Sequence, residues 1–265
     1  MKFAFMSFSC PEATLKEMLD MARKFGYNGI EPRAQCQHKH GVELDASPEQ
    51  RRAIKKMFSD SGIECACIAT SAVYNFSDAA KRKEHVELTK QFIKLAPEVG
   101  CHRLRVFGGP ADVKDRTKGE AVKIVGDALA EVKETAEQYR VYVCMETHDF
   151  FCRAEMTAAA VRRAASPFIR VNWDIMHPFT YMMSVEEAFL EIKDLIAHCH
   201  IHDGTYDKTH QPTLALMGEG EIPYNIAVRL LRDMNYDGYL SGEYINAWPV
   251  DVVLPHDLKV LKSYL

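Results

Sequence analysis

The chain has 265 residues, of which 47% are hydrophobic and 26% charged, values that are ordinary for a globular protein. Its formal net charge of -4 and the lack of a basic block do not favour nucleic acid as the main partner. No apolar run reaches the roughly 18 residues of a membrane span, and the first residues lack the apolar segment of a signal peptide. We therefore expect a cytoplasmic protein with a single domain over residues 1–265.

The eight cysteines are predicted to be reduced thiols that pack as small apolar side chains. They are scattered singly, apart from Cys65 and Cys67, which lie two residues apart on a predicted strand. A structural zinc site would need a second pair of cysteines or histidines at zinc-finger spacing, and the sequence has none.

Apolar runs bounded by glycine, proline and polar residues predict eight strands. In chain order, these strands cover residues 2–9, 27–32, 63–70, 101–107, 141–146, 168–174, 195–201 and 238–244. Apolar residues at helical spacing predict a helix after each strand. The helices are expected near residues 12–25, 48–61, 79–99, 119–139, 155–165, 184–194 and 222–234, and at the carboxyl end. A long loop with Gly218 and Gly220 is expected after the seventh strand.

The alternation of strands and helices predicts parallel strand pairing with right-handed crossovers. Eight such units close into a (β/α)8 barrel, an α/β fold that typically takes about 250 residues. The competing interpretation is an open, doubly wound sheet. It is not favoured, because no Gly-x-Gly-x-x-Gly motif follows the first strand. The predicted fold is therefore a single-domain TIM barrel.

Four consecutive predicted strands, the fifth to the eighth, end in carboxylate or imidazole side chains. These residues are Glu146, Asp174, His200 and Glu243. The carboxyl ends of barrel strands converge on one mouth, where active sites lie. Such an oxygen-rich set suits Mn2+, Mg2+ or Co2+ and can accept Zn2+. We predict one divalent metal ion bound by all four, although each alone could instead cap a helix or pair with an arginine.

Three other histidines and one arginine are candidate substrate-binding residues. His148 and His177 lie just past the fifth and sixth strands, where they could be ligands or donors to sugar hydroxyls. His202 follows His200 by two residues and shares its face if the strand continues. Arg105 is a charged residue inside a buried strand, so it could pair with a ligand carboxylate or reach the substrate.

Three further histidines, His38, His40 and His198, are not expected at the site. His198 lies deeper in the seventh strand and is expected to be packed. His38 and His40 lie in a polar loop after the second strand, where exposure to solvent is the expected state.

With these residues, the chain resembles the sugar phosphate isomerase/epimerase family of xylose isomerase-like barrels over essentially its whole length. The segments that carry the resemblance are Gly29–Glu31, Leu104–Gly109, Glu146–His148, Trp173–Asp174 with His177, His200–Gly204, Gly218–Tyr224 and Tyr236–Glu243. The resemblance implies that the four strand-end residues bind one divalent metal ion. It also implies a small sugar or polyol as the substrate.

The implied chemistry is proton abstraction next to a carbonyl, on a ketose or a related polyol ketone. The metal would polarise the carbonyl, and a carboxylate would remove the α proton. Glu146 and Glu243 come from non-adjacent strands, so one could take the proton and the other return it on the opposite face. Return to the same carbon gives epimerisation, and return to its neighbour gives isomerisation. Loss of a β-hydroxyl makes the protein a dehydratase of the inosose or dehydroshikimate type, and the sequence leaves the three open.

Two further functions are alternatives to this chemistry. The apurinic-site endonuclease relatives hold three zinc ions with extra histidines on earlier strands. Here the third strand ends in Ala69–Ser71 and the fourth in Phe107–Gly109, without histidine. A non-catalytic sugar binder on a barrel scaffold is the second alternative. A homo-oligomer is compatible with the sequence, which does not determine the oligomeric state.

Overall fold

The computed structural model describes residues 1–112, 114–206, 212–245 and 247–265. Nine strands in this part of the chain form one parallel sheet in the order β3-β2-β1-β11-β8-β7-β6-β5-β4. Two more, β9 and β10, pair as an antiparallel hairpin. The strands are β1 Lys2–Met6, β2 Gly29–Glu31, β3 Glu64–Cys65, β4 Ile68–Val73, β5 Arg103–Phe107, β6 Tyr142–Glu146, β7 Ile169–Asp174, β8 Ile196–Ile201, β9 Asp203–Tyr206, β10 Pro212–Ala215 and β11 Tyr239–Gly242.

Helices connect the strands of this sheet. They are α1 Leu15–Phe25, α2 Pro48–Ser61, α3 Ala79–Glu98, α4 Lys118–Tyr139, α5 Ala154–Ala164, α6 Met176–Thr180, α7 Val185–Ile192, α8 Tyr224–Asp233 and α9 Val250–Ser263. No helix in the described part of the chain is long and apolar enough to cross a membrane.

The sheet curls into a nearly closed barrel, which confirms the predicted fold. Strand β3 pairs with β2, strand β4 pairs with β5, and together they occupy the place of the predicted third strand. A parallel bridge between Arg33 and Ala69 joins the two ends of the sheet beyond β2.

Local sequence explains why the helix limits were predictable. Four helices begin with a capping box, in which a serine or threonine side chain and a glutamate or glutamine three residues later satisfy each other's backbone N–H groups. The pairs are Thr14 with Glu17, Ser47 with Gln50, Thr117 with Glu120, and Ser184 with Glu187. Helices α1 and α2 end at Gly26 and Gly62, whose φ values of 86° and 71° are the left-handed conformation that glycine adopts without strain.

The structure differs from the sequence prediction at several elements. Strand β1 ends at Met6 rather than at residue 9, and helix α1 begins at Leu15 rather than near residue 12. The third strand is broken between β3 and β4, and a short helix, α6, follows β7 directly. The hairpin of β9 and β10 lies in the predicted long loop, of which residues 207–211 are outside the described residues. Strand β11 ends at Gly242, so Glu243 lies one residue beyond it.

Candidate active site

The four predicted metal ligands come together at the carboxyl end of the barrel. One ligand atom from each of Glu146, Asp174, His200 and Glu243 lies within 4.8 Å of the others. These residues stand at or just beyond the ends of β6, β7, β8 and β11, which are consecutive in the sheet. The strand register also brings them together. Asp174 on β7 is opposite His200 on β8, and the N–H of Glu243 donates to the carbonyl of Ile201 at 2.9 Å. We call these four residues the ligand quartet.

His200 lies in the middle of the quartet. Its Nδ1 is 2.9 Å from Oε2 of Glu243 and 3.3 Å from Oε1 of Glu146. Its Nε2 faces the opposite way, 3.0 Å from Oε1 of Glu31. Burial alone would lower the pKa of His200, but the negative charges of Glu31, Glu146 and Glu243 hold it well above its usual value.

Asp174 is fixed at the amino end of helix α6. Its Oδ1 accepts the backbone N–H groups of Met176 at 2.9 Å and His177 at 3.1 Å. Its Oδ2 lies 2.8 Å from Nε2 of His202. Burial would raise the pKa of Asp174, yet the neighbouring His202 and His177 hold it below its usual value. The carboxylate is therefore ionised and held rigidly.

Glu146 forms a buried ion pair with Arg105. The Nε atom of Arg105 is 2.9 Å from Oε2 of Glu146, in a contact that lacks hydrogen-bond geometry. Nη1 of Arg105 donates to the carbonyl of Thr70 at 2.8 Å, which fixes the guanidinium. Arg105 therefore pairs with the carboxylate of Glu146. The role of Glu146 as a metal ligand and the contact of Arg105 with substrate both stay predictions.

Glu243 is the most accessible member of the quartet. Its side chain is 13% exposed, whereas those of Glu146 and His200 are 1% and 0% exposed. Burial would raise the pKa of Glu243, but His200, both by its charge and by direct contact, lowers that pKa to about 2. Glu243 is thus a carboxylate at neutral pH, with access to the mouth.

The charges of the quartet suit a divalent cation. Its three carboxylates exceed the paired guanidinium of Arg105 by two negative charges, and the raised pKa of His200 means that a proton on its ring can offset only one of them. A buried excess of this size is costly unless a cation compensates for it. The oxygen-rich donors with one imidazole also suit Mn2+, Mg2+, Co2+ or Zn2+. The residues present therefore fit the divalent metal ion that the sequence predicts.

The three histidines predicted to bind substrate form a row beside the quartet. The rings of His148 and His177 are 4.3 Å apart, and those of His177 and His202 are 5.5 Å apart. Burial would lower the pKa of His148, but Asp149, 3.1 Å from its Nδ1, raises that pKa to about 9. Burial lowers the pKa of His177. The row therefore combines a protonated imidazole with a neutral one.

Three further groups in the described residues could also hold a metal ion. They are Glu31 with His198 and His200, Glu146 with His148 and His177, and Asp174 with His177 and His202. Each shares one residue with the quartet, namely His200, Glu146 or Asp174.

Glu31 was not predicted as a site residue. It ends β2, is fully buried, and contacts both His198 at 2.7 Å and His200 at 3.0 Å. Burial would raise its pKa, but the two histidines hold it well below the usual value. The signal was available, because Glu31 is a carboxylate at the end of a predicted strand, as Glu146 is. His198 is fully buried, in agreement with its predicted packing.

The predicted exposure of His40 is wrong. His40 is buried, with 2% exposure, and its Nδ1 accepts the N–H of Val42 at 3.0 Å. Nε2 of the same ring lies 3.2 Å from the carbonyl of Arg33, so the imidazole links the beginning and the end of this loop. His38 is half-buried and lies 2.8 Å from the hydroxyl of Ser7.

Asp203 organises the glycine-rich segment after the hairpin. Its carboxylate accepts the N–H groups of Gly204, Gly218 and Gly220 at 2.8, 2.8 and 3.2 Å. A Cβ atom at Gly220 would lie 2.1 Å from Oδ1 of Asp203, so only glycine fits there. These hydrogen bonds fix the path of the chain between the hairpin and helix α8.

The cysteines are free thiols, as predicted, and seven of the eight are buried. None belongs to the side-chain groups that could bind a metal in the described part of the chain. Cys65 and Cys67 therefore fill space in the barrel.

Comparison with known proteins places the chain in a family. The model of the xylose isomerase-like TIM barrel family matches residues 19–264, so the chain belongs to this family. It is 22% identical over 244 residues to L-ribulose-5-phosphate 3-epimerase UlaE of Escherichia coli, covering 88% of this chain and 81% of that protein. It is 24% identical over 237 residues to fructoselysine 3-epimerase of Shigella flexneri, covering 86% and 84%.

A solved structure shows the same fold over the whole chain. It is that of the protein described as the probable 3-DHS dehydratase AsbF, involved in petrobactin synthesis, from Bacillus anthracis. The TM-score is 0.82, with 20% sequence identity and 99% of each chain covered.

Proposed function

We propose that the protein is a divalent-metal-dependent epimerase that acts on a ketose or a related polyol ketone. The observation that carries this proposal is the ligand quartet, which unites Glu146, Asp174, His200 and Glu243 within 4.8 Å. The two curated relatives support epimerisation, since both are named as 3-epimerases. Isomerisation uses the same groups and remains the neighbouring activity to test.

The quartet would hold one Mn2+, Mg2+, Co2+ or Zn2+ ion. When bound, the ion would polarise a substrate carbonyl and so acidify the hydrogen on the next carbon. Such activation is needed because a carboxylate is a weak base toward a hydrogen that is bound to carbon.

Glu146 and Glu243 are proposed as the residues that move the proton. They stand on β6 and after β11, with β7 and β8 between them, and both contact Nδ1 of His200 from their own side. One carboxylate would remove the α hydrogen from one face of the carbon. The other would return a proton to the opposite face, which inverts that carbon.

The row of His148, His177 and His202 is proposed to orient the hydroxyl groups of a polyol. His148 is 30% exposed at its side chain and carries a proton at neutral pH, so it can donate to an oxygen. Arg105 is 1% exposed, which favours an action through Glu146 over direct contact with substrate.

A second candidate function is dehydration of an inosose or dehydroshikimate type of substrate. The observation that favours it is the contact of His148 Nδ1 with Oδ1 of Asp149 at 3.1 Å, which raises the pKa of this imidazole to about 9. Loss of a β-hydroxyl requires an acid near the leaving oxygen, and a cationic imidazole at the mouth can provide one.

The proposed function can be tested with a panel of ketoses and polyol ketones. The protein is stripped of metal, then assayed with and without each of the four cations, while epimers are separated by chromatography. We expect one epimer pair to interconvert only when a cation is present. Enone absorbance in the ultraviolet would instead identify the dehydratase. Failure of every substrate with every cation would contradict both.

A further inference from the structure

We propose that Glu31 is a positioning residue for the metal centre, which it serves by fixing the ring and the tautomer of His200. This inference rests on the proposed metal site, and it assigns a role to a residue outside the ligand quartet.

The contacts of Glu31 are unusual for a buried carboxylate. Its two oxygens meet two imidazoles, Oε1 at 3.0 Å from Nε2 of His200 and Oε2 at 2.7 Å from Nε2 of His198. All three side chains are fully buried. Glu31 therefore bridges two rings on β8 from β2, and the rotation of its carboxylate is restricted at both oxygens.

The donors and acceptors available in this cluster determine which ring nitrogens of His198 and His200 carry protons. An ionised carboxylate only accepts hydrogen bonds, so each ring must present N–H at Nε2. Nδ1 of His200 faces the carboxylates of Glu243 and Glu146, at 2.9 and 3.3 Å, so by the same rule it also carries a proton. A cation bound by the quartet would displace this proton, and the ring would then keep its proton on Nε2 and offer the lone pair of Nδ1. Metal-binding histidines generally donate their other ring N–H to such a partner, which orients the ring.

His198 supports the same arrangement. Its Nδ1 is buried and has no hydrogen-bond partner among the described residues. An unsatisfied buried acceptor costs free energy, so the ring gains its polar contact chiefly from Glu31. We infer that His198 occupies the second oxygen of Glu31 and leaves the first directed at His200.

A direct ligand role for Glu31 is the alternative, because Glu31, His198 and His200 also form a group that could hold a cation. A cation there would need Nε2 of both rings without protons, although both face the carboxylate at hydrogen-bonding distance. It would also have only one carboxylate, against three in the quartet. The two sites predict opposite results for a variant at His198.

The test measures Zn2+ affinity by competition with a chromophoric chelator, together with thermal stability. Glu31→Leu keeps the side-chain volume but removes both acceptors, and we expect the Kd for Zn2+ to rise by about 10–100-fold. Glu31→Gln can accept from only one ring, so its Kd should lie between those of wild type and Glu31→Leu. His198→Phe is the matched control. It disrupts the same buried cluster but leaves the Glu31–His200 contact, so its Kd should change by about threefold or less.

A second measurement determines the proton position in the wild-type protein itself. In Zn2+-loaded wild-type protein with 15N-labelled histidine, the His200 ring should carry its proton on Nε2. Its signals are identified by their loss in His200→Gln. A proton on Nδ1 would overturn the inference, as would wild-type affinity in Glu31→Leu. Loss of Zn2+ binding in His198→Phe would place the cation at Glu31 and overturn it too.

These outcomes separate the inference from the proposed function. If wild-type protein binds no divalent cation, both are contradicted. If it binds Zn2+ and Glu31→Leu binds equally tightly, only the role of Glu31 is wrong. If the affinities follow the expected order but no ketose is converted, the positioning role stands and the proposed activity is wrong.

Discussion

Nε of Arg105 lies 2.9 Å from Oε2 of Glu146, and both side chains are 1% exposed. Their strands, β5 and β6, are adjacent in the sheet, so the pair is formed inside the barrel, beside the ligand quartet. Removing one member of such a pair leaves an uncompensated buried charge, which typically costs about 3–5 kcal/mol. Arg105 thus compensates the charge of a carboxylate that is proposed to bind the cation.

This relationship predicts a metal-dependent stability defect in Arg105→Met. The metal-free variant should lose about 3–5 kcal/mol of unfolding free energy. Saturating Mn2+ should reduce the difference from wild type, because the cation supplies the missing positive charge. Denaturant unfolding with and without Mn2+ measures both. Arg103→Met is the control on the same strand, since Nε of Arg103 donates to the carbonyl of Ala197. An equal Mn2+ effect in both variants would count against the account.

We expect His200→Ala to abolish metal binding. The imidazole is the one nitrogen donor of the quartet and contacts two of its carboxylates. Metal analysis of purified protein should give about one ion per chain for wild type and almost none for the variant. His102→Ala, at an exposed position, should retain the wild-type content. Undiminished metal in His200→Ala would show that the quartet is wrongly assigned.

His177→Ala should impair catalysis more than folding. Its half-buried ring lies between those of His148 and His202 at the mouth. Turnover should fall by roughly tenfold or more, while the melting temperature changes little. His202→Ala should behave in the same way. A stability loss of about 2 kcal/mol or more, typical of a core deletion, would identify either ring as packing instead.

Asp257 should make stability depend on pH. Burial raises its pKa from 3.8 to about 6, and its Oδ1 accepts the N–H of Met217 at 3.2 Å. Between these values the folded state binds more protons than the unfolded state, so this residue's contribution to stability falls as pH rises. The displacement corresponds to about 3 kcal/mol.

Asp257→Asn removes the titration. The unfolding free energy of the variant, minus that of wild type, should therefore rise by about 2 kcal/mol between pH 4 and pH 7. Asp251→Asn, exposed on the same helix, is the control. A difference that stays constant over this range would show that Asp257 does not titrate as described.

Much of the fold was predictable because its signals are local. Thr14 with Glu17 and Gly26 set the limits of α1 from within a few residues. The quartet was predictable for a related reason. The carboxyl ends of barrel strands converge on one mouth, so carboxylates and imidazoles at these ends are expected to lie close together. The short helix α6 and the hairpin lie in loops whose course depends on tertiary contacts.

The residues that were missed depend on distant partners. Glu31 and His200 are 169 positions apart, and nothing near Glu31 in the chain indicates which ring it faces. His40 is buried because its loop turns back on the carbonyl of Arg33 and the N–H of Val42. A polar composition describes such a loop on average and does not reveal one buried ring within it.

The most direct test of the central claim is deuterium incorporation from D2O, followed by mass spectrometry of substrate and product. With a divalent cation bound, wild type should place one deuterium on the carbon next to the carbonyl. Glu146→Gln and Glu243→Gln, checked for retained metal, should each lose most turnover. One variant should still exchange the α hydrogen of one epimer only, and the other variant that of the opposite epimer. Exchange that persists in metal-stripped wild type, or wild-type turnover in both variants, would contradict proton transfer by these carboxylates.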